Sequence, residues 1–418
     1  MDFFEYRNGE LYCEEMRVGD ICEAVGTPVY VYSHRTLVDH YRKLDAAFSE
    51  VEHLICFSVK SNSNLAVIRT LVKEGAGTDI VSGGELFRVL KVGVDPQKIV
   101  FAGVGKSTEE IEYALNSDIL MFNVESINEA YAINEVAGRL GKKAMIAFRV
   151  NPDVEADTHH HITTGKKENK FGIDINIAVD IFKEANELPN LDVCGVHAHI
   201  GSQILSSGPY VKSLKKLALL IDELRENDIK IQNLNIGGGL GVIYLDEEPQ
   251  FASDFAAAIL PMVKATNCRL LLEPGRFITG NSGILLTKVL YVKRAAVKNF
   301  VIVDAAMNDL VRPALYDAYH RIKPVKITSD EEELVDVVGP VCESSDFFAQ
   351  RRKILKVQQG EYLSLFTAGA YGFAMASNYN SRRRAAEVLV KDDQYFIVRE
   401  RENYEDLIEG ESIPEFLF

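Results

Sequence analysis

Short apolar runs rich in β-branched residues recur at a steady interval through the first two thirds of the chain. Strands that are apolar on both faces are typical of a parallel sheet covered by helices. There are eight such runs: HLICFSV (53–59), TDIVS (78–82), KIVFAG (98–103), ILMFNV (119–124), AMIAFRV (144–150), VCGVHAHI (193–200), LNIGG (234–238) and RLLLEP (269–274).

The stretches between these runs have helical periodicity. STEEIEYAL (107–115) and SLKKLALLIDEL (213–224) each begin with a serine that could cap a helix, followed by apolar residues at three- and four-residue spacing. Eight strand–helix units over roughly 250 residues favour a closed (β/α)8 barrel over an open doubly wound sheet. We place this barrel at residues 35–280.

After residue 280 strands follow one another with little room for helices, and TPVYVYS (27–33) near the start is of the same kind. We therefore predict an α/β protein in which a TIM-type barrel is joined by a β-rich domain built from both chain ends, 1–34 and 281–418. Its later strands are expected at TKVLYVKR (287–294), FVIVDA (300–305), LVDVVG (334–339), ILKV (354–357), AEVLVK (386–391) and YFIVRE (395–400).

Composition narrows the function classes. With 46 Lys and Arg against 61 Asp and Glu, the net charge of −15 argues against a nucleic-acid partner. No apolar run is long enough to span a membrane, and the first residues lack a signal-peptide pattern. The six cysteines are scattered without a CxxC pair, which is typical of a reducing compartment. We expect a cytoplasmic enzyme.

Metal chemistry is not expected. The chain has no HExxH motif, and the three histidines at 159–161 would alternate sides in an extended chain. GVGKST (103–108) is similar to a phosphate-binding P-loop but lacks its leading glycine.

Candidate chemistry lies where the strands end, because the active site of a (β/α)8 barrel is built from the loops at the carboxyl ends of its strands. Lys60 follows the first run directly. A lysine at a strand end more often pairs with an acid or extends to solvent. A desolvated amine with a lowered pKa, which is the form that makes a Schiff base, is the alternative at this position.

The seventh and eighth strand ends add a second signal. Gly237, Gly238 and Gly239 could cradle a phosphate with their backbone N–H groups or simply form a tight turn. In EPGR (273–276), Glu273 ends the eighth strand and Arg276 could bind a phosphate or a carboxylate. The loops after strands seven and eight are the usual phosphate site of this barrel.

The sixth strand end supplies His199 and Ser202 within HAHIGSQ (197–203). A histidine here is often a satisfied core residue, but its ring could also stack on a pyridine, and the serine hydroxyl could reach a phosphate. The ligand implied by all these positions has a phosphate at one end and a carbonyl that reaches Lys60. Pyridoxal 5′-phosphate fits that description.

A series of motifs in order along almost the whole chain resembles the diaminopimelate decarboxylases, a family of fold-type III pyridoxal-phosphate enzymes. Two departures are Arg383, where a proline is common, and the triple histidine, of which only the first is typical. The motifs are SVKSNSN (58–64), SGGE (82–85), FNVES (122–126), RVNP (149–152), THHHITTG…KFG (158–172), HIGSQ (199–203), GGG (237–239), EPGR (273–276), RPALY (312–316), CESSD (342–346), AGAYG (368–372) and SNYNSR (377–382).

The resemblance implies cofactor roles. Lys60 would carry pyridoxal phosphate as a Schiff base, His199 would stack on its ring, and Glu273 would pair with its pyridine nitrogen. The carboxylate would favour the protonated, more electron-withdrawing ring. The residues around the phosphate would be Ser202, Gly237, Gly238, Gly239, Arg276 and Tyr371.

The resemblance also implies substrate roles and a homodimer with shared active sites. Cys342 would return a proton to the substrate carbon. Arg312 would bind the distal carboxylate bidentately, and Glu343 would answer the ammonium group. The residues implied to hold the substrate are Arg276, Arg312, Tyr316, Glu343 and Tyr371.

The implied reaction is decarboxylation of meso-2,6-diaminopimelate to L-lysine and CO2, the last step of lysine biosynthesis. One alternative keeps the fold and cofactor but acts on ornithine, lysine, arginine or a carrier-bound aminoacyl group. Another is a binding protein on the same scaffold that has lost catalysis.

The polar segment 153–170 is long enough to be a lid over the substrate.

Overall fold

The computed structural model of the protein describes residues 2–154 and 170–418. The chain forms two compact units, Leu37–Thr279 on the one hand and Met1–Thr36 with Gly280–Phe418 on the other. Most of the segment expected to be a lid, and the triple histidine within it, lie outside the described residues.

The first unit is a closed barrel of eight parallel strands. The eighth strand pairs with the first, Leu270 opposite His53, and the fourth pairs with the fifth, Phe122 opposite Ile146. This closure confirms the predicted (β/α)8 barrel. The strands are β1 (His53–Ser58), β2 (Gly77–Ile80), β3 (Ile99–Phe101), β4 (Met121–Val124), β5 (Ala144–Asn151), β6 (Leu191–His197), β7 (Asn233–Asn235) and β8 (Arg269–Leu272), with a short strand at Ile173–Asp174 beside β5.

Helices follow the strands as the sequence predicts. Ser107 and Glu110 form a reciprocal capping box that starts the helix Thr108–Asn116. The predicted start at Ser213 is wrong, because that residue is buried inside a helix that begins at Gly208. The helices of this unit and at its entry are His34–Ala47, Leu65–Lys73, Gly83–Lys91, Thr108–Asn116, Ile127–Leu140, Ala178–Asn186, Gly208–Glu226, Ala252–Thr266 and Arg276–Thr279.

The second unit is built on a sheet that joins both chain ends. The strand Val29–Ser33 pairs antiparallel with Gly283–Arg294 and parallel with Ala386–Lys391. This pairing confirms the predicted β-rich domain. Its other strands are Phe4–Arg7, Glu10–Cys13, Met16–Arg17, Asn299–Val303, Ile322–Pro324, Glu332–Val338, Phe347–Leu355, Tyr362–Leu365 and Gln394–Arg399, and its helices are Val18–Val25 and Arg312–Tyr316.

One strand of this unit differs from its prediction. The run at 354–357 is only the end of Phe347–Leu355, whose middle carries the basic residues 351–353 on a largely exposed stretch. An apolar pattern cannot reveal a strand whose centre is charged.

Within the described ranges, no helix is long and apolar enough to cross a membrane.

Candidate active site

The turn after β1 brings an amine to a buried carboxylate. Lys60 Nζ lies 3.0 Å from Asp79 Oδ2, and the Ser58 hydroxyl donates to the same oxygen. Burial raises the pKa of Asp79, and the positive charge of Lys60 opposes this rise. The Lys60 side chain is 42% exposed and is paired with a fully buried acid, which is the first of the two alternatives that the sequence leaves open. Its role as a Schiff-base amine stays a prediction.

Glu273, at the end of β8, is buried and held by side chains from three other strands. Its Oε1 accepts hydrogen bonds from Asn123 Nδ2 at 2.7 Å and Asn235 Nδ2 at 2.6 Å. Its Oε2 lies 3.3 Å from His197 Nε2. Burial raises the pKa of this carboxyl, but His197, Lys60 and the Asn235 amide outweigh burial and bring the pKa below its ordinary value. The carboxylate is therefore ionised at neutral pH.

His199 lies beyond the end of β6 and contacts the glycine turn. The Gly238 N–H donates to His199 Nδ1 at 3.3 Å. Burial, with the charges of Arg149 and Lys60, lowers the pKa of His199 well below its ordinary value. At neutral pH we therefore expect a neutral imidazole at His199 and an ionised carboxylate at Glu273.

The three glycines after β7 are required by close packing. A Cβ on Gly238 would stand 2.1 Å from the Glu273 carbonyl oxygen, and one on Gly239 would stand 2.4 Å from the Gly201 carbonyl oxygen. Gly239 also has a φ of +105°, which side chains rarely adopt. Packing alone explains glycine at these positions, and a phosphate-binding role stays a prediction.

Arg276 begins the short helix after β8, and its guanidinium is buried. It donates to the Tyr244 hydroxyl and, at 3.2 Å, to Ser202 Oγ. A hydroxyl from the loop after β6 and a cation from the loop after β8 are therefore side by side. The predicted residues of the barrel, which all lie beyond the carboxyl ends of their strands, are Lys60, His199, Ser202, Gly237, Gly238, Gly239, Glu273 and Arg276.

The remaining predicted residues belong to the β-rich unit. Arg312 starts the helix Arg312–Tyr316, is buried, and has its Nη1 3.1 Å from His320 Nε2. Tyr316 ends that helix. Tyr371 has a φ of +56°, which is uncommon for a residue with a side chain.

Cys342 and Glu343 are exposed and are tied to the SNYNSR segment. The Cys342 N–H donates to Asn380 Oδ1 at 2.9 Å, and the Tyr379 hydroxyl donates to Glu343 Oε2 at 3.1 Å. Asn380 has a φ of 57°. The SNYNSR segment therefore has a left-handed conformation at Asn380 and is hydrogen-bonded to the loop that carries Cys342 and Glu343.

Sequence reasoning missed four polar residues that fix the barrel site. They are Asp79, Asn123, Asn235 and Tyr244, and all four are buried. Three of them are polar residues inside apolar strands, which is the signal that could have identified them. Among the described residues, no cluster of three or more His, Cys, Asp or Glu is arranged to hold a metal ion.

The chain matches known proteins over its whole length. Residues 34–280 match the family model "Pyridoxal-dependent decarboxylase, pyridoxal binding domain". A diaminopimelate decarboxylase of Haemophilus influenzae is 49% identical, with 97% of this chain and 98% of the relative covered. The chain belongs to this family.

Solved structures of the diaminopimelate decarboxylase family have the same fold. That of Helicobacter pylori, complexed with L-lysine, is 41% identical over 94% of this chain and 98% of its own, with a TM-score of 0.90. A second, described as from "m. jannaschii" in co-complex with L-lysine, is 40% identical over 100% of this chain and 99% of its own, with a TM-score of 0.95. The family resemblance of the motifs is thereby confirmed.

The donor set of the barrel fits the cofactor that gives the family its name. An amine at Lys60, an ionised buried carboxylate at Glu273, and the Arg276 guanidinium with the Ser202 hydroxyl are three chemically distinct groups. They match the carbonyl, the pyridine nitrogen and the phosphate of pyridoxal phosphate respectively. The buried Asp79 Oδ1 has no hydrogen-bond partner among the described residues, which leaves an acceptor for a ligand or water.

Proposed function

We propose that this protein removes one carboxyl group from meso-2,6-diaminopimelate and releases L-lysine and CO2, with pyridoxal 5′-phosphate as cofactor. The observation that carries the proposal is full-length similarity to diaminopimelate decarboxylases together with retention of the residues that the reaction needs.

The barrel residues bind the cofactor. Lys60 attaches to its carbonyl, His199 stacks on its ring, and Arg276 and Ser202 with the glycines 237–239 surround its phosphate. Tyr371, which is not a barrel residue, is also assigned to the phosphate. When bound, pyridoxal phosphate accepts the electron pair that the departing CO2 leaves on the substrate carbon. Glu273 keeps a proton on the pyridine nitrogen, because its ionised carboxylate favours the cationic ring.

Residues of the β-rich unit select the substrate. Arg312 binds the distal carboxylate of diaminopimelate, with Tyr316 adding a hydrogen bond, and Glu343 binds the distal ammonium. Ornithine and lysine lack that carboxylate. Since Arg312 is buried, such substrates would leave its guanidinium without the carboxylate that this proposal assigns to it.

Cys342 supplies the proton that replaces the lost carboxyl group. When the bond between the substrate carbon and its carboxyl group breaks, the electron pair of that bond remains with the substrate carbon and its attached cofactor. Cys342 Sγ then donates one proton to the carbon, which forms the new C–H bond of lysine. Solvent restores the proton to the thiol, so the net reaction consumes one proton for each CO2 released.

The active form in this proposal is a homodimer with shared sites. Cys342 and Glu343 are exposed on the single chain although both are assigned to a water-excluding reaction. Their contribution across a symmetric interface would cover them. This exposure supports the dimer.

The reaction is tested by product analysis in D2O. Purified protein loaded with cofactor is incubated with meso-diaminopimelate, and CO2, lysine and deuterium content are measured by mass spectrometry. We expect equal amounts of CO2 and lysine, with one non-exchangeable deuterium on the carbon that lost its carboxyl group. Consumption of substrate without lysine, or no reaction by cofactor-loaded protein, would contradict the proposal.

A further inference from the structure

A lysine outside the proposed cofactor contacts is buried next to the residues that hold Glu273. The Lys106 side chain is 1% exposed. It belongs to the GVGKST segment between β3 and the helix Thr108–Asn116. The sequence of this segment is similar to a P-loop but lacks the full motif. Lysine is almost never fully buried unless it is paired, so this position needs an explanation.

All three donors of the Lys106 ammonium are used, and they join three parts of the barrel. Nζ donates to the Gly103 carbonyl oxygen at 2.9 Å, to the Asn123 carbonyl oxygen at 2.8 Å and to Glu129 Oε1 at 2.6 Å. Gly103 follows β3, Asn123 lies on β4, and Glu129 is in the first turn of Ile127–Leu140. The lysine therefore ties the carboxyl ends of two adjacent strands to the start of a helix.

The third partner of Lys106 is itself held in place. Glu129 Oε2 accepts the Glu125 N–H at 2.8 Å, and the Glu129 N–H donates to Ser126 Oγ at 3.2 Å. Lys106 is thus anchored to a capped helix start on one side and grips the backbone of Asn123 on the other. A fixed anchor is what a positioning group requires.

Asn123 relays this position to Glu273. Its Nδ2 donates to Glu273 Oε1 at 2.7 Å, whereas its Oδ1 is buried without a hydrogen-bond partner in the described part of the chain. The amide oxygen therefore adds no further hold on this side chain. Its position depends on the Nδ2 bond to Glu273 and on the backbone of β4, which pairs with β5 and accepts a hydrogen bond from Lys106. Asn235 holds the same carboxylate oxygen from β7.

We propose that Lys106 is a positioning residue that acts through Asn123 to orient the Glu273 carboxylate toward the pyridine nitrogen of the cofactor. This inference rests on the proposed function, because it assumes that pyridoxal phosphate binds at Glu273. In this inference the lysine of GVGKST acts indirectly on the binding of the cofactor ring and does not bind a phosphate. Lys106 itself touches neither cofactor nor substrate.

The test compares two ligands, pyridoxal phosphate and an analogue in which a CH group replaces the ring nitrogen. Dissociation constants are measured by titrating the apoprotein and following the absorbance of bound ligand. Lys106→Met should weaken pyridoxal phosphate binding by about tenfold, the size of one lost hydrogen bond to a charged group. Binding of the analogue should change by less than about twofold, because it offers Glu273 no nitrogen.

Asn123→Ala completes the experiment. If Lys106 acts through Asn123, Lys106→Met should add no further loss in the Asn123→Ala background. Lys142→Met is the matched control, since Lys142 also donates to a backbone carbonyl, that of Leu115, and pairs with Asp118. It should leave both dissociation constants unchanged.

The outcomes separate this inference from the proposed function. Equal weakening of both ligands, multiplicative losses in the double variant, or unchanged binding by Lys106→Met would overturn the role of Lys106. Failure of the wild-type chain to bind pyridoxal phosphate would overturn the proposed function instead. If Lys106→Met does not fold, Lys106→Met with Glu129→Gln gives the same comparison without an unpaired buried carboxylate.

Discussion

At the scale of single residues, the barrel site separates charge by environment. Asp79 and Glu273 are both buried acids, yet burial raises the pKa of Asp79, whereas the surroundings of Glu273 lower its pKa. The difference follows from their partners: Glu273 accepts two amide hydrogen bonds and faces His197. Two carboxyl groups whose pKa values shift in opposite directions can differ in protonation within one site. One can hold a proton at a pH at which the other is ionised.

Lys60→Ala tests the attachment of the cofactor. We expect turnover of diaminopimelate to fall by roughly 1,000-fold or more, because the variant lacks the amine that we propose forms the covalent link. The absorbance of lysine-bound cofactor should disappear as well. Lys91→Ala, at an exposed lysine on a barrel helix, is the control and should retain both. An active Lys60→Ala protein with the wild-type spectrum would refute the site.

Arg312→Ala tests substrate selection. We expect the KM for diaminopimelate to rise by about 100-fold, and the inhibition constant of lysine to change far less, since only diaminopimelate carries the distal carboxylate. Arg351→Ala, an exposed arginine of the same unit, should change neither value. Equal effects on the two ligands would remove the carboxylate role. Because Arg312 also contacts His320, Arg312→Lys provides a variant that keeps the charge.

Candidate site residues could be recognised in the sequence where a residue type is unusual for its place. Lys60 and Glu273 stand out because charged residues follow apolar strands. Asn123 and Asn235 do not stand out, because a short strand tolerates one polar residue for many reasons. Their shared contact with Glu273 depends on closure of the barrel, which brings β4, β7 and β8 around one carboxylate.

At the scale of elements, the loop before the helix Arg312–Tyr316 contains a buried acid. Asp309 Oδ2 accepts the Ala306 N–H at 3.0 Å. Burial raises the pKa of Asp309 to about 7. In the unfolded chain the pKa of an aspartate is about 3.9. Between these values the folded protein binds the extra proton, so the free energy of unfolding falls as pH rises from about 4 to about 7.

Asp309→Asn should remove that pH dependence. We expect the melting temperature of the wild type to fall more between pH 5 and pH 8 than that of the variant. The corresponding difference in the free energy of unfolding is a few kcal/mol at most. Thermal unfolding followed by calorimetry at several pH values is the measurement. Asp330→Asn, at an exposed aspartate, is the control and should behave like the wild type. Superimposable pH profiles for wild type and Asp309→Asn would contradict the prediction.

Elements of the barrel could be predicted more fully than those of the β-rich unit. All eight barrel strands lie where apolar runs predict them. Because both faces of each strand are buried, its residues form a nearly continuous apolar run in the sequence. Phe347–Leu355 was recognised only at its end, since half of its residues face outward and are polar or charged. The N-terminal strands Phe4–Arg7 and Glu10–Cys13 have only four residues each, which is too short to give a clear pattern.

At the scale of the whole molecule, the proposed homodimer makes two inactive variants complementary. Lys60→Ala and Cys342→Ala chains are each expected to be inactive alone. If each site takes its lysine from one chain and its thiol from the other, mixed dimers contain one intact site. Random reassortment of equal amounts should restore about a quarter of wild-type activity. No recovery after verified subunit exchange would exclude shared sites.

The central claim is that the protein decarboxylates diaminopimelate in preference to amino acids without a distal carboxylate. The most direct measurement is CO2 release by the cofactor-loaded protein with meso-diaminopimelate, lysine, ornithine and arginine in parallel. We predict strong release from diaminopimelate and at most a small fraction of that rate from the other three. Faster release from any of the other three would contradict the assignment of Arg312 and Glu343 as selectors, and with it the proposed substrate.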